Sequence, residues 1–382
     1  MKQKSLWLAM QQTWLALLLG VVSWVAPKRK LLGVFFPIHE KQRFSGNLKA
    51  VYLELRAHAP EIECLWVTAD PEVHRQMQAD GLAVRYSRRP PVWLLARAQL
   101  VLIDSYVKYL LFSHLRVGQV WHGVGYKRVG SANERNRGLK RVALWLQHRQ
   151  YVFVLASSAS DRDQKREIFE GTNAVITGSP RNDALLLDAV QAREAKRRLG
   201  LEGYTRVVLY APTYRDVAGK QAFTADFWAR AQAEAARHHT AIIIKKHPLD
   251  RALQVPGGLS HVRDVSHSVD DVQSALAAAD VLITDYSSIA TDFALKHLPI
   301  LFYTYDFAEY QPKSRGFFFD LKEVLPGPFV ADEGELLRMT FDTAWFQEAA
   351  YPEKFDSFVS FFHQYRDAQS STRAAALVRH SL

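Results

Sequence analysis

Apolar runs alternate with amphipathic stretches along most of the chain and divide it into strand–helix units. In the first half the pattern predicts six strands and five helices. The strands lie at 31–37, 62–68, 99–103, 117–121, 151–156 and 174–177, and the helices at 47–57, 71–80, 134–149, 158–170 and 182–198. This alternation is typical of an α/β fold, with a parallel sheet covered by helices on both faces.

The alternation restarts after a linker at 201–204. It predicts strands at 206–210, 241–246, 280–284 and 299–303, and helices at 224–237, 270–279, 288–296 and 332–346. A chain of 382 residues exceeds one simple core. We therefore predict two Rossmann-like domains facing a cleft, with ligands beyond the carboxyl ends of the strands. The predicted parts are an N-terminal segment at 1–28, domains at 29–200 and 201–346, and a C-terminal helix at 347–382 that packs back on the first domain.

The first 28 residues form a separate, apolar segment. No charged residue lies between Lys4 and Lys28, and three tryptophans are spaced along this stretch. The length suffices for a membrane span, whereas the tryptophans also suit a helix lying in the membrane plane. A cleaved signal peptide is disfavoured by Trp24 at the −3 position, and a buried soluble helix is the remaining alternative.

The net charge indicates the class of partner, and the cysteine content indicates the redox compartment. The net charge is +10, and it is concentrated in residues 1–200, which carry +15 against −5 for 201–382. A basic half indicates an anionic partner such as a membrane surface or a polyphosphate polymer, and no nucleic-acid-binding signature is present. The single cysteine, Cys64, excludes an intramolecular disulfide and fits a reducing compartment.

Polar residues gather where the predicted strands end. The run 281–284 leads into Asp285, Ser287 and Ser288 and then into a helix, where free amide groups favour a phosphate. An ordinary helix cap by serine is the alternative reading. His122 follows strand 117–121 and is a candidate general base, or else a structural histidine. Further candidates at strand ends are Arg181, Thr213, Arg215, His247 and Arg315. Neither a P-loop nor a G-x-G-x-x-G after a strand occurs.

Six ordered motifs together resemble the CDP-glycerol glycerophosphotransferase family of teichoic-acid primases and polymerases. They are WHGVGYK at 121–127, GSPRND at 178–183, YAPTYRD at 210–216, KKHP at 245–248, ITDYSS at 283–288 and FYTYD at 302–306. The resemblance covers about residues 31–345. It implies a GT-B fold, with an acceptor domain followed by a domain that binds the CDP-linked donor.

The resemblance also implies a reaction and roles for residues. An alditol phosphate passes from a CDP-linked donor to an acceptor hydroxyl, and CMP is released. His122 matches the base on the acceptor and His247 a contact to the donor pyrophosphate. The expected donor phosphate and nucleotide contacts are Thr213, Arg215, Asp285, Ser287, Ser288 and Arg315, and the expected acceptor or loop residues are Gly123, Lys127 and Arg181.

One motif departs from the family pattern. The family usually reads H-G-T-P-x-K, whereas this chain has Val124 and Gly125 in place of Thr and Pro. The change bears on loop shape and acceptor choice, and it leaves His122 and Lys127 in place.

The expected setting is the cytoplasmic face of the bacterial cell membrane. A lipid-linked, polyol-phosphate or polysaccharide acceptor would lie there, the product being teichoic acid or capsule, and no nucleic acid is expected as a partner. No cofactor is expected to be required, because the sequence contains no pair of carboxylates that indicates a dedicated metal site. A Mg²⁺ ion held mainly by the donor phosphates stays open.

Two alternative functions stay open. One is a GT-B transferase that uses CMP-activated sugars, and the other is a catalytically idle polymer-binding protein. Glycerol versus ribitol, and primase versus polymerase, stay open.

Overall fold

The computed structural model describes residues 2–38, 43–186, 188–213, 222–246, 253–269, 271–313, 316–348 and 350–382. It contains two compact units of parallel sheet and helices. The first comprises residues up to His122, Arg128–Arg181 and Gln369–Leu382, and the second comprises Gly123–Lys127 and Asn182–Ala368. The predicted α/β class with two parallel sheets is therefore confirmed.

The first unit is built on a seven-stranded sheet of order β3-β2-β1-β4-β5-β6-β7. Its strands are β1 Arg29–Phe35, β2 Glu63–Thr68, β3 Val84–Tyr86, β4 Ala98–Ile103, β5 Val117–Gln119, β6 Tyr151–Ala156 and β7 Ala174–Ile176. Its α-helices are α1 Lys2–Val25, α2 Gly46–His58, α3 Pro71–Ala79, α4 Val92–Arg97, α5 Leu139–His148, α6 Ala159–Ile168 and, at the C-terminus, α15 Ser370–Ser381.

The second unit is built on a six-stranded parallel sheet of order β10-β9-β8-β11-β12-β13. Its strands are β8 Arg206–Tyr210, β9 Thr240–Ile244, β10 Val262–Asp264, β11 Val281–Thr284, β12 Ile300–Tyr303 and β13 Phe329–Val330. Its α-helices are α7 Ala189–Arg198, α8 Ala225–Arg237, α9 Val272–Ala278, α10 Ile289–Ala294, α11 Phe307–Lys313, α12 Leu321–Val324, α13 Glu333–Phe341 and α14 Ala350–Phe362.

In both sheets the strand order reverses beside the first strand, between β1 and β4 and between β8 and β11. Loops leaving two such strands part in opposite directions, which opens a crevice where ligands of α/β sheets bind. The central strands β9, β11 and β12 are buried along their whole length, as expected for parallel strands covered on both faces.

Some strands and helices begin or end at residues other than those predicted, because backbone conformation or helix capping interrupts the hydrophobic pattern. The predicted strand 117–121 ends at Gln119, because Trp121 has a φ of 53° and cannot continue the ladder. The predicted helix 182–198 is a 3₁₀ segment, Pro180–Leu185, followed by α7, which begins after a capping box at Asp188. The short strands β3, β10 and β13 were not predicted, since two or three residues at or near a sheet edge carry no apolar run.

The unit boundaries also differ from the predicted domain limits. The second unit begins at Asn182 rather than near residue 201. The segment 347–382 contains two helices rather than one. Helix α14 contributes Phe355, Phe358 and Phe362 to the core of the second unit, whereas α15 contributes Ala374 and Val378 to that of the first.

Helix α1 packs on the first unit through small residues and leaves an apolar face exposed. Ala16 and Ser23 are buried, and a Cβ on Gly20 would lie 2.9 Å from the Phe112 carbonyl oxygen. On the other face Trp14, Val21 and Trp24 are 69%, 66% and 77% exposed. Across the described part of the chain, no helix combines the length and the apolarity needed to cross a bilayer.

Acid should weaken the first unit through His148. This side chain is 1% exposed and packs against Tyr106, Tyr151 and Phe169, and neither ring nitrogen has a hydrogen-bond partner among the described residues. Burial lowers its pKa to about 4 from an ordinary 6.5. As the pH falls, His148 is therefore protonated in the unfolded chain before it is protonated in the folded chain. Its contribution to the free energy of unfolding is complete above pH 6.5 and is lost as the pH drops towards 4. One pKa unit corresponds to about 1.4 kcal/mol, which makes the loss on the order of 3 kcal/mol.

The measurement is the thermal unfolding midpoint between pH 7 and pH 4. We expect His148→Phe to flatten this dependence, while substitution of the exposed His380 by Phe leaves it as in the wild type. If the unfolding midpoint of His148→Phe falls as steeply with acid as that of the wild type, other groups cause the loss of stability.

Candidate active site

The strand–serine–serine–helix junction lies at the point where the second sheet reverses its order. Strand β11 is buried throughout, and Ser287 and Ser288, both half-buried, precede α10. The Ile289 amide donates to the Ser287 hydroxyl oxygen (3.4 Å), so Ser287 partly caps the helix. Ser288 makes no capping hydrogen bond. Helix capping therefore accounts for the Ser287 hydroxyl but not for the Ser288 hydroxyl.

A similar junction in the first unit is closed by its own side chains. Ser157 and Ser158 follow β6 and precede α6, and both serines are buried. The Asp161 carboxylate accepts from the Ser157 amide (2.8 Å) and pairs with Lys165 (2.8 Å). A carboxylate thus occupies the anion position there, whereas the junction at Ser288 contains no such internal ion pair among the described contacts.

Asp285 shapes the loop after the neighbouring strand. Its two carboxylate oxygens accept from the Thr213 amide at 2.9 and 3.0 Å, and its side chain is 2% exposed. The Thr284 hydroxyl donates to the Ala211 carbonyl (2.7 Å), which ties β11 to the same loop. A carboxylate turned towards a backbone amide holds Thr213 in place, and its charge would repel a phosphate.

The segment Gly123–Lys127 belongs to the second unit and lies along the serine junction. The Tyr126 hydroxyl donates to the Ser287 carbonyl (2.6 Å), and the Thr291 hydroxyl donates to the Val124 carbonyl (2.7 Å). Burial, together with the nearby Asp285 carboxylate, raises the pKa of Tyr126 well above its ordinary value. Tyr126 therefore keeps its proton and remains a donor at any physiological pH.

Lys127 lies among aromatic residues at the end of this segment. Its Nζ atom is 5.6 Å from the centre of the Tyr310 ring, and its backbone forms a β-bridge with Phe317. Tyr310 in turn stacks on Tyr286 at 4.3 Å. The lysine charge is thus held over a ring face, an arrangement that stabilises a cation.

His122 lies in the first unit, beside the backbone carbonyl of Asp104. Its Nδ1 lies 2.7 Å from the carbonyl oxygen of Asp104, and the ring is half-buried. Because a carbonyl oxygen only accepts, we assign the hydrogen to Nδ1, which leaves the lone pair of the neutral ring on Nε2. The ring also lies against the Trp121 indole, with centroids 4.1 Å apart. The Asp104 carbonyl therefore sets which ring nitrogen carries the lone pair.

Arg181 is a neighbour of His122 in the same unit. Its guanidinium donates to the His122 carbonyl, and its backbone amide donates to the Asn47 side chain (3.0 Å). The structure thus places Arg181 in contact with the histidine loop. It fits the predicted loop role more directly than an anion clamp.

Two buried amide side chains near His122 escaped the sequence reasoning. Asn47 donates to the carbonyls of Val120 (3.0 Å) and Trp121 (3.1 Å), and Gln119 accepts from the Trp121 amide (2.9 Å). Trp121 has a left-handed φ of 53°, which costs an L-residue roughly 1–2 kcal/mol. The available signal was the run FSGN at 44–47, which is similar to an early loop of the family that the six motifs resemble.

Three predicted site residues lie outside the described residues: Arg215, His247 and Arg315. Of the others, the second unit brings together Gly123, Lys127, Thr213, Asp285, Ser287 and Ser288, and the first unit brings together His122 and Arg181. Chain connectivity links the two groups, because His122 is bonded to Gly123. Gly125, three residues after His122, lies against Ser288, and a Cβ there would be 3.5 Å from the serine Cβ.

Comparisons with known proteins identify the family. The model of the CDP-glycerol:poly(glycerophosphate) glycerophosphotransferase family matches residues 19–380. The chain is 28% identical to a teichoic acid glycerol-phosphate transferase of Staphylococcus aureus, over 91% of this chain and 92% of that protein. It is 27% identical to a teichoic acid poly(glycerol phosphate) polymerase of Bacillus subtilis, over 81% of this chain but only 43% of that protein.

The fold has solved counterparts. The wall teichoic acid polymerase TagF superposes with a TM-score of 0.79 at 22% identity, covering 92% of this chain and 89% of that chain. The resemblance stated from the motifs and the predicted enzyme class are confirmed by the match that spans nearly the whole sequence. The chain belongs to the CDP-glycerol:poly(glycerophosphate) glycerophosphotransferase family.

Proposed function

We propose that the chain transfers glycerol phosphate, or a related alditol phosphate, from a CDP-linked donor to an acceptor hydroxyl and releases CMP. One observation carries the proposal. A single short segment holds His122, the candidate base, and Tyr126, which bonds to Ser287 at the candidate phosphate junction. Family membership over residues 19–380 supports the reaction class.

The proposed reaction is an in-line displacement at the β-phosphorus of the donor. The acceptor oxygen bonds to this phosphorus, and the bond from the phosphorus to the bridging oxygen breaks, so that CMP leaves with that electron pair. His122 Nε2 takes the proton of the acceptor hydroxyl, and the Asp104 carbonyl holds the ring in the tautomer this step needs. Positioning and charge stabilisation supply the remaining acceleration.

The donor phosphates are proposed to lie at Ser287 and Ser288. The Ser288 hydroxyl and backbone amides at the start of α10 are the donors described there. Thr213 stands on the neighbouring loop, where Asp285 fixes its amide. Arg215, His247 and Arg315 remain predicted donor contacts on the family motifs, and Gly123, Lys127 and Arg181 remain predicted acceptor or loop residues.

The GT-B arrangement and the acceptor and donor roles of the two units are part of this proposal. They rest on the family match and on the parallel sheets of both units. No resident cofactor is proposed, and the assay below tests whether the reaction needs a Mg²⁺ ion bound mainly through the donor phosphates.

Membrane association is proposed to occur through α1, with the protein at the cytoplasmic face. The helix is held to the first unit along one side and exposes Trp14, Val21 and Trp24 along the other. Tryptophan side chains suit the lipid headgroup region, and the basic first half would add attraction to anionic lipid. A lipid-linked acceptor would then be within reach of the site.

We expect Trp14→Ser combined with Trp24→Ser to lower partitioning onto vesicles of anionic phospholipid about tenfold or more, since burying each side chain is worth about 1.5–3 kcal/mol. The control is Trp93→Ser, because Trp93 is 57% exposed in the same unit but lies outside α1. Sedimentation with vesicles provides the measurement. If the double variant partitions as the wild type does, or if the control loses as much, the exposed side of α1 is not the membrane-binding face.

The donor class is tested by CMP release. The purified chain is incubated with CDP-glycerol, CDP-ribitol or a CMP-activated sugar, each with and without acceptor, and each with Mg²⁺ or with EDTA. We expect acceptor-dependent CMP release from a CDP-alditol. Release from the CMP-sugar alone would assign a glycosyltransferase, and release from none of the donors would favour a binding protein.

A further inference from the structure

We propose that Asn47 and Gln119 are positioning residues that aim His122 by holding the backbone of Trp121. This inference rests on the proposed function, since it requires His122 to act as the base. It concerns two buried amide side chains that hydrogen-bond the backbone of Trp121, the residue before His122.

The backbone of Trp121 is bound on both sides by side chains. Its amide donates to the Gln119 side-chain oxygen (2.9 Å), and its carbonyl accepts from Asn47 Nδ2 (3.1 Å). Both amide side chains are themselves fixed. Gln119 is fully buried and donates to the Ser105 carbonyl (3.2 Å), while Asn47 is 5% exposed and also donates to the Val120 carbonyl (3.0 Å).

The conformation that these bonds hold is an unusual one. A φ of 53° is strained for tryptophan, and strained backbone persists where the surroundings over-determine it, most often at functional sites. The left-handed residue turns the chain sharply between β5 and His122. Without that turn, the next residue would continue the direction of the strand, and its ring could not reach the Asp104 carbonyl in the same geometry.

The other face of Asn47 leads to His122 by a second route. Its Oδ1 accepts from the Arg181 amide (3.0 Å), and the Arg181 guanidinium donates to the His122 carbonyl. Asn47 therefore fixes the carbonyl before His122 directly and the carbonyl of His122 through Arg181. One buried side chain thus sets the peptide groups on both sides of the proposed base.

The test uses two variants that keep shape but remove donors. Asn47→Asp retains the acceptor for Arg181 and places carboxylate oxygens against the two carbonyls. Gln119→Glu retains the acceptor for Trp121 and loses the bond to Ser105. A displacement of about 1 Å can cost on the order of 100-fold in rate. We expect kcat to fall roughly 10- to 100-fold in each variant, with KM for CDP-glycerol changed less than about threefold.

The pH profile separates positioning from a shifted pKa. A new carboxylate that merely raised the pKa of His122 would move the acid limb of the profile, and activity would return at higher pH. A misdirected His122 ring lowers the maximal kcat that the profile reaches at any pH. We therefore expect the loss to persist at the pH where the wild type is fully active.

The matched control is Gln147→Glu. Gln147 is 3% exposed, lies in the same unit and donates to the Val107 carbonyl (3.0 Å), so its replacement also removes a buried amide donor. We expect lower thermal stability in this control with kcat unchanged. If both test variants keep wild-type kcat while His122→Ala is inactive, the positioning role is wrong and the proposed function stands. If His122→Ala is fully active, the proposed function itself fails.

Discussion

His122→Ala is expected to lower kcat for glycerol phosphate transfer by about 100- to 10,000-fold while the chain keeps its fold. The ring nitrogen that takes the proton in the proposed reaction is lost, together with the hydrogen bond that joins the ring to the Asp104 carbonyl. KM for the donor should change little, because the candidate phosphate residues lie in the second unit.

The structural cost of this substitution is small by comparison. One hydrogen bond to a carbonyl and the contact with Trp121 are removed, and a hydrogen bond is worth about 0.5–1.5 kcal/mol. Thermal unfolding therefore checks that the variant is folded. Steady-state CMP release with saturating acceptor gives kcat. Turnover within tenfold of the wild type in a folded variant would remove His122 from the role of base.

Asp285→Ala should reduce kcat/KM for the CDP-linked donor by about 10- to 150-fold. The Thr213 amide would lose a charged, buried acceptor, and a hydrogen bond to a charged group is worth about 1.5–3 kcal/mol. The loop after β8 would then no longer be fixed beside β11. Donor kinetics at fixed acceptor concentration measure the loss.

Asp285→Asn distinguishes positioning from direct contact with the donor. Asparagine keeps one oxygen that can accept from the Thr213 amide, so we expect this variant to retain more activity than Asp285→Ala. The thermal unfolding midpoint of each variant checks that the second unit is still folded. Equal loss in the two variants would mean that the negative charge itself is needed, and Asp285 would then belong to the chemistry.

Sequence patterns predicted the parts of the molecule that depend on local signals. The apolar run before Ser287 predicted β11, and the serines predicted the start of α10, because both features follow from neighbouring residues. The ten predicted strands are all present for the same reason. Helix 134–149 was too long, since Gly138, with a φ of 58°, precedes the true start at Leu139.

The remaining features depend on contacts between distant residues. Asn47 reaches the carbonyl of Trp121 across 74 positions, and no periodicity marks such a pair. Nothing in the sequence predicts a left-handed tryptophan, because the preference of that residue is for extended or helical backbone. Asp285 was predicted to contact the donor from its position after β11, and only the structure shows the Thr213 amide between its oxygens.

The central claim is tested most directly by following both products of one reaction. The purified chain is incubated with CDP-glycerol and an acceptor that ends in glycerol phosphate. The CMP released is quantified, and the mass of the acceptor is measured by mass spectrometry. We predict that each CMP released accompanies one glycerol phosphate added to the acceptor, and that His122→Ala suppresses both by at least about 100-fold. CMP release without growth of the acceptor, or undiminished growth in His122→Ala, would contradict the account.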